Sequence, residues 1–246
     1  MYAELELEIR SDLLTYRNSS NLQGVIMETI PEEYAALLHQ GHMNPYSQFL
    51  LTEQERKRWF IRTLNKEAFE NLLLPMKKLD EFSLKSGQIS ARITERTERF
   101  SSEDDLVKEF FDDDGPHNLE IRFLSPTAFK KDGRYVIYPD LKLIYGSLTR
   151  RFNTVSEAFD MTDPEMLEQL VSHSQITRYY LRTVRFPLEG VSVAGFTGTL
   201  GLYIHGADAL ARYARMLFRF GQFSGVGIKT GMGMGAIQLA EQGDSK

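Results

Sequence analysis

The chain has 246 residues, 42% hydrophobic and 26% charged, a globular balance with length for one large core or two small ones. It has no cysteine, which excludes disulfides, thiolate metal sites and a cysteine nucleophile, and it lacks the roughly 18-residue apolar run a bilayer crossing needs. The net charge of −5 hides an asymmetry: residues 1–120 carry 14 Lys+Arg against 23 Asp+Glu, net −9, and residues 121–246 carry 15 against 11, net +4. A polyanionic partner would therefore lean on the second half.

Tyr2 to Ile9 alternates with a period of two and predicts a first strand, with Tyr2, Leu5, Leu7 and Ile9 mostly on one side and Glu4, Glu6 and Glu8 on the other. Asn18 to His39 follows with apolar residues at helical spacing, interrupted at Pro31, so it is one broken helix or two. Phe49–Leu51 and Lys57–Leu64 predict a hairpin, Lys66–Leu74 a short helix closed by Pro75, and Lys78–Leu84 and Gly87–Arg96 further strands. The order is β-α-β-β-α-β, the ferredoxin-like unit.

The acidic, polar stretch Ser101 to Pro116 carries the strongest break signal, and the expected domains are 1–115 and 116–246. Beyond it, Leu119–Leu124 is a strand, and Lys130 to Arg134 is a hairpin turn leading into Tyr135–Tyr138. Asp140–Phe152 and Asp163–His173 are helical, Ile176–Phe186 and Val191–Ile204 are long strands, Ala207–Phe220 is an amphipathic helix, and Met232–Leu239 is a last strand. The second half repeats the layout, giving an α+β chain of two tandem ferredoxin-like domains.

The most distinctive motif is Gly225-Val226-Gly227-Ile228-Lys229-Thr230-Gly231-Met232-Gly233-Met234-Gly235. Glycines let backbone amides approach a phosphate, and Lys229 adds a positive charge at the same place. The alternative is a bulge-rich loop before an edge strand. A nucleotide P-loop does not fit, because Lys229 follows Ile228 rather than a glycine and no helix follows; a Rossmann fingerprint fails for the same reason.

The tail from Phe220 to Gly235 resembles the glycine-rich signature of the CRISPR-associated repeat-RNA-processing endoribonucleases, the sixth Cas family of the RAMP superfamily. Phe123–Phe129, Pro139-Asp140 with Ser147-Leu148, and Gly195–Gly198 resemble further family segments in the family's order. Leu38-His39 with Asn44-Pro45-Tyr46-Ser47 resembles its active-site segment. The resemblance implies two ferredoxin-like domains and metal-independent RNA cleavage, in which a 2′-hydroxyl attacks the adjacent phosphate to leave a 2′,3′-cyclic phosphate and a 5′-hydroxyl. His39 falls at the family's catalytic histidine, and imidazole suits acid and base work near neutrality. Met27 and Asn44 stand where some members have a tyrosine and a lysine.

The expected catalytic residues are therefore His39, with Tyr46 and Ser47 as further donors; His42 and a cation from Arg56, Lys57 or Arg58 are additional candidates. The expected RNA-binding residues are Gly225, Gly227, Lys229, Thr230, Gly233 and Gly235 in the loop, Lys130, Lys131 and Arg134 at the hairpin tip, and Arg178 and Arg182 on a strand with Tyr179 and Tyr180. The clusters Arg150-Arg151 and Arg212/Arg215/Arg219 read first as solvated faces. His39 and His42 lack a ligand pattern such as His-Glu-x-x-His, so no metal and no cofactor are expected. CRISPR repeat RNA is the expected partner, with other Cas proteins of an interference complex and a second copy of the chain as further candidates. With no leader or membrane segment read at the N-terminus, the expected location is the cytoplasm. A catalytically silent RNA-binding subunit of the same superfamily and a small-molecule enzyme using the loop for a phosphate are the competing functions.

Overall fold

The computed structural model describes residues 1–41, 43–53, 56–84, 88–112, 116–156, 163–188 and 190–240. Its first sheet has the order β2-β3-β1-β5-β4, built from β1 (Tyr2–Arg10), β2 (Tyr46–Glu53), β3 (Arg56–Thr63), β4 (Glu81–Ser83) and β5 (Ser90–Ser101). The short β4 is an added edge, and the other four strands keep the antiparallel ferredoxin-like order. The second sheet, β11-β6-β10-β9, keeps the same order with β6 (Asn118–Thr127), β9 (Ser174–Leu188), β10 (Val191–Ile204) and β11 (Ile237–Leu239). A separate hairpin pairs β7 (Phe129–Lys131) with β8 (Arg134–Val136). The chain is thus α+β, with the predicted fold in both halves.

Pro31 divides the first helical region into α1 (Ser19–Thr29) and α2 (Glu32–Gln40), because Ile30 before it is forced into an extended conformation. The two helices bury Leu22, Val25, Ile26, Tyr34 and Leu38 against Leu5, Leu7, Trp59 and Ile61 of the sheet. The period-two pattern therefore sets one face of β1 as predicted. Tyr2 is the exception: it shares the face of Glu4, where it packs edge-on to Phe220 at 5.5 Å between ring centroids. That face meets the second half of the chain instead of solvent. Arg62 and Glu4 are buried in it as an ion pair at 2.5 Å, and Phe49 stacks on Phe60 at 4.6 Å beside Ala236.

Pro75 does not close the second helical region. Helix α3 (Lys66–Ala68) passes through a π turn (Phe69–Leu73) into α4 (Leu74–Lys77), and the wider turn accommodates a residue with no amide donor. The polar stretch read as a break carries helix α5 (Glu103–Asp112), tied to the second half by Arg219 to Glu109 at 2.8 Å and Ser156 to Glu103 at 2.5 Å. Residues 113–115 of that stretch, and the Gly87 predicted to open β5, lie outside the described residues.

In the second half, Asp140 and Asp163 cap α6 (Leu141–Asn153) and α7 (Pro164–His173) by accepting backbone N–H bonds, as their oxygens do at helix starts. Helix α8 (Asp208–Ser224) buries Ala211, Ala214, Leu217 and Phe218 against this sheet and ends at Gly225, whose φ is +69°. The last strand is shorter than predicted: residues 230–232 form a 3₁₀ turn, and the positive φ of Gly233 and Gly235 breaks extension before Ile237. Among the described residues no helix is long and apolar enough to cross a membrane.

Candidate active site

His39 lies in the last turn of α2, exposed, with Nδ1 at 2.7 Å from the Ala35 carbonyl. A carbonyl can only accept, so this contact fixes the proton on Nδ1 and leaves Nε2 as the ring nitrogen open to a reactant. The ring borders a cleft of about 510 Å³ whose wall includes Gln23 and Met27 of α1, Tyr135 of β8, and Lys229 and Met232 of the glycine loop. Elements distant in sequence thus bring an imidazole and an exposed ammonium to one opening. Glu28 of α1 also lines it.

Lys229 sits at the rim with φ +56°, one of two described non-glycine residues in the left-handed region. Such a conformation persists only where its surroundings enforce it. Here Met232 and Met234 both donate their N–H to the Lys229 carbonyl, at 2.9 and 3.2 Å, and that turn presents the side chain outward.

The rest of the loop departs from the reading in which free glycine amides cradle phosphate. Gly225, Gly227, Gly233 and Gly235 donate their N–H groups to Gly221, the Ser147 hydroxyl, Thr230 and Pro126 respectively. The loop is instead a wedge between the halves. A Cβ on Gly227 would lie 2.3 Å from the Ala128 carbonyl oxygen, and one on Gly233 would lie 2.6 Å from Cβ of Ser19 on α1. Gly227→Ala is expected to cost about 2–4 kcal/mol, from its φ of +81° and a backbone clash, read as a lower melting temperature. An unchanged melting temperature would show that the wedge is not tight.

Tyr46 and Ser47 are also corrected. Tyr46 is fully buried beneath Gly231, Gln23 donates to its hydroxyl at 3.4 Å, and burial pushes the phenol up to about 12. Ser47 is buried and donates its hydroxyl to the Phe223 carbonyl at 2.6 Å, which joins β2 to α8. Both position the loop rather than face the cleft. Thr230 is buried as well, and its hydroxyl accepts from Arg151 at 2.6 Å.

Of the remaining cations, Lys130, Lys131 and Arg134 are exposed around the Asp132-Gly133 turn, free to meet a large ligand. Arg178 is ion-paired to Glu120, and Arg182 leans on Thr197 at 3.3 Å beside a second groove between the sheets. Arg58 is held by Glu6 and Glu53, and Lys57 by the Ser11 carbonyl. At about 3.3 Å per residue, the Arg56 turn stands about 23 Å from the Thr63 end of the hairpin, where Tyr46 pairs. Among the described residues that line the His39 cleft, the lysine or arginine is Lys229. His42 lies outside the described residues.

Sequence reasoning missed Arg151, Gln23 and Tyr135. Ser147 and Arg151 stand four apart on α6 and share a helix face; that spacing signalled that the second arginine of the pair turns inward while Arg150 stays exposed.

A family model described as "CRISPR-associated endoribonuclease Cas6" matches residues 121–237. A protein of that description from Mycobacterium tuberculosis is 32% identical over 96% of this chain and 76% of its own length. One from Streptococcus thermophilus is 32% identical over 90% of both. Among solved structures, "Cas6 (TTHA0078) product complex" superposes with a TM-score of 0.80 at 21% identity, covering 98% of this chain and 99% of that one. "Thermus thermophilus Cas6 (TTHB231)" gives 0.73 at 22%, covering 98% of each. At that identity the structural likeness bears on the fold, while the sequence relatives carry the assignment: this chain belongs to the CRISPR-associated Cas6 endoribonuclease family.

Proposed function

We propose that the protein cuts CRISPR repeat RNA once per repeat without a metal ion, by attack of a ribose 2′-hydroxyl on the adjacent phosphate. A P–O2′ bond forms and the P–O5′ bond breaks; the proton of the 2′-hydroxyl is taken up and one is delivered to the leaving oxygen. The observation that carries this reading is His39 with Nδ1 anchored on Ala35 and Nε2 left to the cleft that Lys229 shares. In the neutral ring Nε2 accepts the 2′-hydroxyl proton, and in the imidazolium it donates to the 5′-oxygen. Lys229 supplies positive charge for the pentavalent intermediate. Similar structures include a Cas6 product complex, a Cas6 substrate-mimic complex and "An RAMP protein binding different RNA substrates", and the last of these supports an RNA ligand.

The N-terminal half supplies the imidazole, and the C-terminal half, net positive, holds the repeat. The test is incubation of purified protein with repeat RNA in excess EDTA. Discrete products ending in a 2′,3′-cyclic phosphate, lost when a single 2′-deoxynucleotide replaces the residue upstream of the cut, are expected. Bound but intact RNA would replace this reading with that of a silent RNA-binding subunit.

The hairpin tip offers a separate check on RNA holding. Reversing both Lys130 and Lys131 to glutamate is expected to flatten the dependence of log K on log salt by about 1.5–2 and to weaken binding, with the melting temperature unchanged because both side chains are exposed. An unaltered slope would remove the tip from the interface.

A further inference from the structure

Arg151 is a charged side chain in an unusual position. It is buried, its Nη2 donates to Thr230 Oγ1 at 2.6 Å, and its Nη1 has no hydrogen-bond partner among the described residues. Among the described residues no carboxylate compensates it: burial and the neighbouring Arg150 together bring the guanidinium down to about 10. An unpaired buried charge costs several kcal/mol, so a chain that keeps one has a use for it.

That use is indicated by what surrounds it. Arg151 lines a second cleft of about 370 Å³ together with Arg150, Lys229, Ser147, Asn44 and Gln23, and among the described residues no carboxylate lines it. Three cations converge there on neutral donors. The cleft shares Gln23, Lys229 and Met232 with the cleft that holds His39, so the two openings adjoin.

We propose that this second cleft is a phosphate-binding site for an RNA phosphodiester neighbouring the one cut at His39, with Arg151 as its buried anchor. The proposal rests on the RNA-cleavage reading for the source of the phosphate. The glycine loop then acts indirectly: Thr230 holds the guanidinium and the turn aims Lys229, while the amides of Gly225, Gly227, Gly233 and Gly235 stay within the protein. The site fixes the register of the strand, which decides which phosphodiester reaches Nε2 of His39.

Two arms test it. In the first, inorganic phosphate is titrated at constant ionic strength with melting temperature as the readout. Wild type is expected to show a saturable rise of roughly 5–10 °C at about 100-fold over the dissociation constant. Arg151→Met, relieved of an uncompensated charge, is expected to be at least as stable without phosphate and to keep only the small shift that excluded anions give any protein. Arg150→Ala, a change at an exposed side chain, is the second variant and is expected to weaken phosphate about three- to tenfold.

In the second arm, uncleavable repeat RNA carries one methylphosphonate at successive positions around the cut. Wild type is expected to lose about tenfold or more in affinity at one position, and Arg151→Met to show no difference there, with a salt slope lower by about 1. Phosphate stabilisation without any RNA affinity would uphold the anion site and overturn the RNA reading. RNA binding and cutting with no phosphate effect, and no position that Arg151→Met erases, would overturn the site and leave the cleavage reading intact.

Discussion

Replacing His39 by alanine is expected to lower the single-turnover cleavage rate by about 10²–10⁴-fold while RNA affinity changes less than threefold. The size follows from what positioned proton transfer contributes, and the selectivity follows from the geometry. His39 is exposed and, among the described residues, its side-chain hydrogen bond is to Ala35 in its own helix, so the variant is expected to keep its fold. His39→Gln is the sharper companion, since it retains a polar side chain of similar reach but cannot shuttle a proton. A variant that cuts at the wild-type rate would displace His39 from the chemistry without touching the RNA-binding reading. A variant that neither cuts nor binds would place the residue in the RNA grip.

Removing Glu4 is the change expected to cost most in stability. Its carboxylate holds Arg62 at 2.5 Å and Arg99 at 3.3 Å, and the Arg62 guanidinium lies over the Phe49 ring at 4.7 Å. Burial drives the Arg62 guanidinium below its ordinary value, and the Glu4 charge works against that shift. With Glu4→Ala the guanidinium stays buried and uncompensated, a loss of about 3–5 kcal/mol, which for a chain of this size lowers the melting temperature by on the order of 10 °C. The double replacement Glu4→Leu with Arg62→Met is expected to recover most of it, because a buried ion pair is commonly matched by well-packed apolar side chains. Urea unfolding of the single and double variants decides the matter: a single variant within about 1 kcal/mol of wild type would mean that water already reaches the pair. Since the pair lies where the first sheet meets the second half, weakening it should also loosen the cleft that takes His39 from one half and Lys229 from the other.

Much of this was visible in the sequence for a specific reason. Alternation of two in β1 and β3 and helical spacing in α1, α6 and α8 are local signals, and each reports which face of an element is apolar. Pro31, Asp140 and Asp163 likewise act on their own neighbours, so the helix starts were found. Most of the differences come from contact with a partner far along the chain. Alternation groups Tyr2 with Leu5, Leu7 and Ile9, whereas it shares the face of Glu4 that the second half covers; Pro75 reads as a stop, and a π turn carries the helix through it; the polar stretch 101–116 reads as a break, and within it α5 docks on α8. Tyr46 and Ser47 carry hydroxyls and sit in the family-like segment, which is why they read as donors. Their neighbours in space, Gly231 and Phe223, turn them into packing residues.

The glycine loop shows the division most clearly. By composition alone it determined that the backbone there adopts angles closed to other residues and that a lysine accompanies it. Whether the freed amides face a ligand or the protein depends on which acceptor lies within hydrogen-bond distance of each N–H, and no spacing in the sequence encodes that. The tertiary structure decided it: Gly221, Ser147, Thr230 and Pro126 take the four amides. The loop leaves the charge of Lys229 at the rim, with Arg151 buried beside it against Thr230.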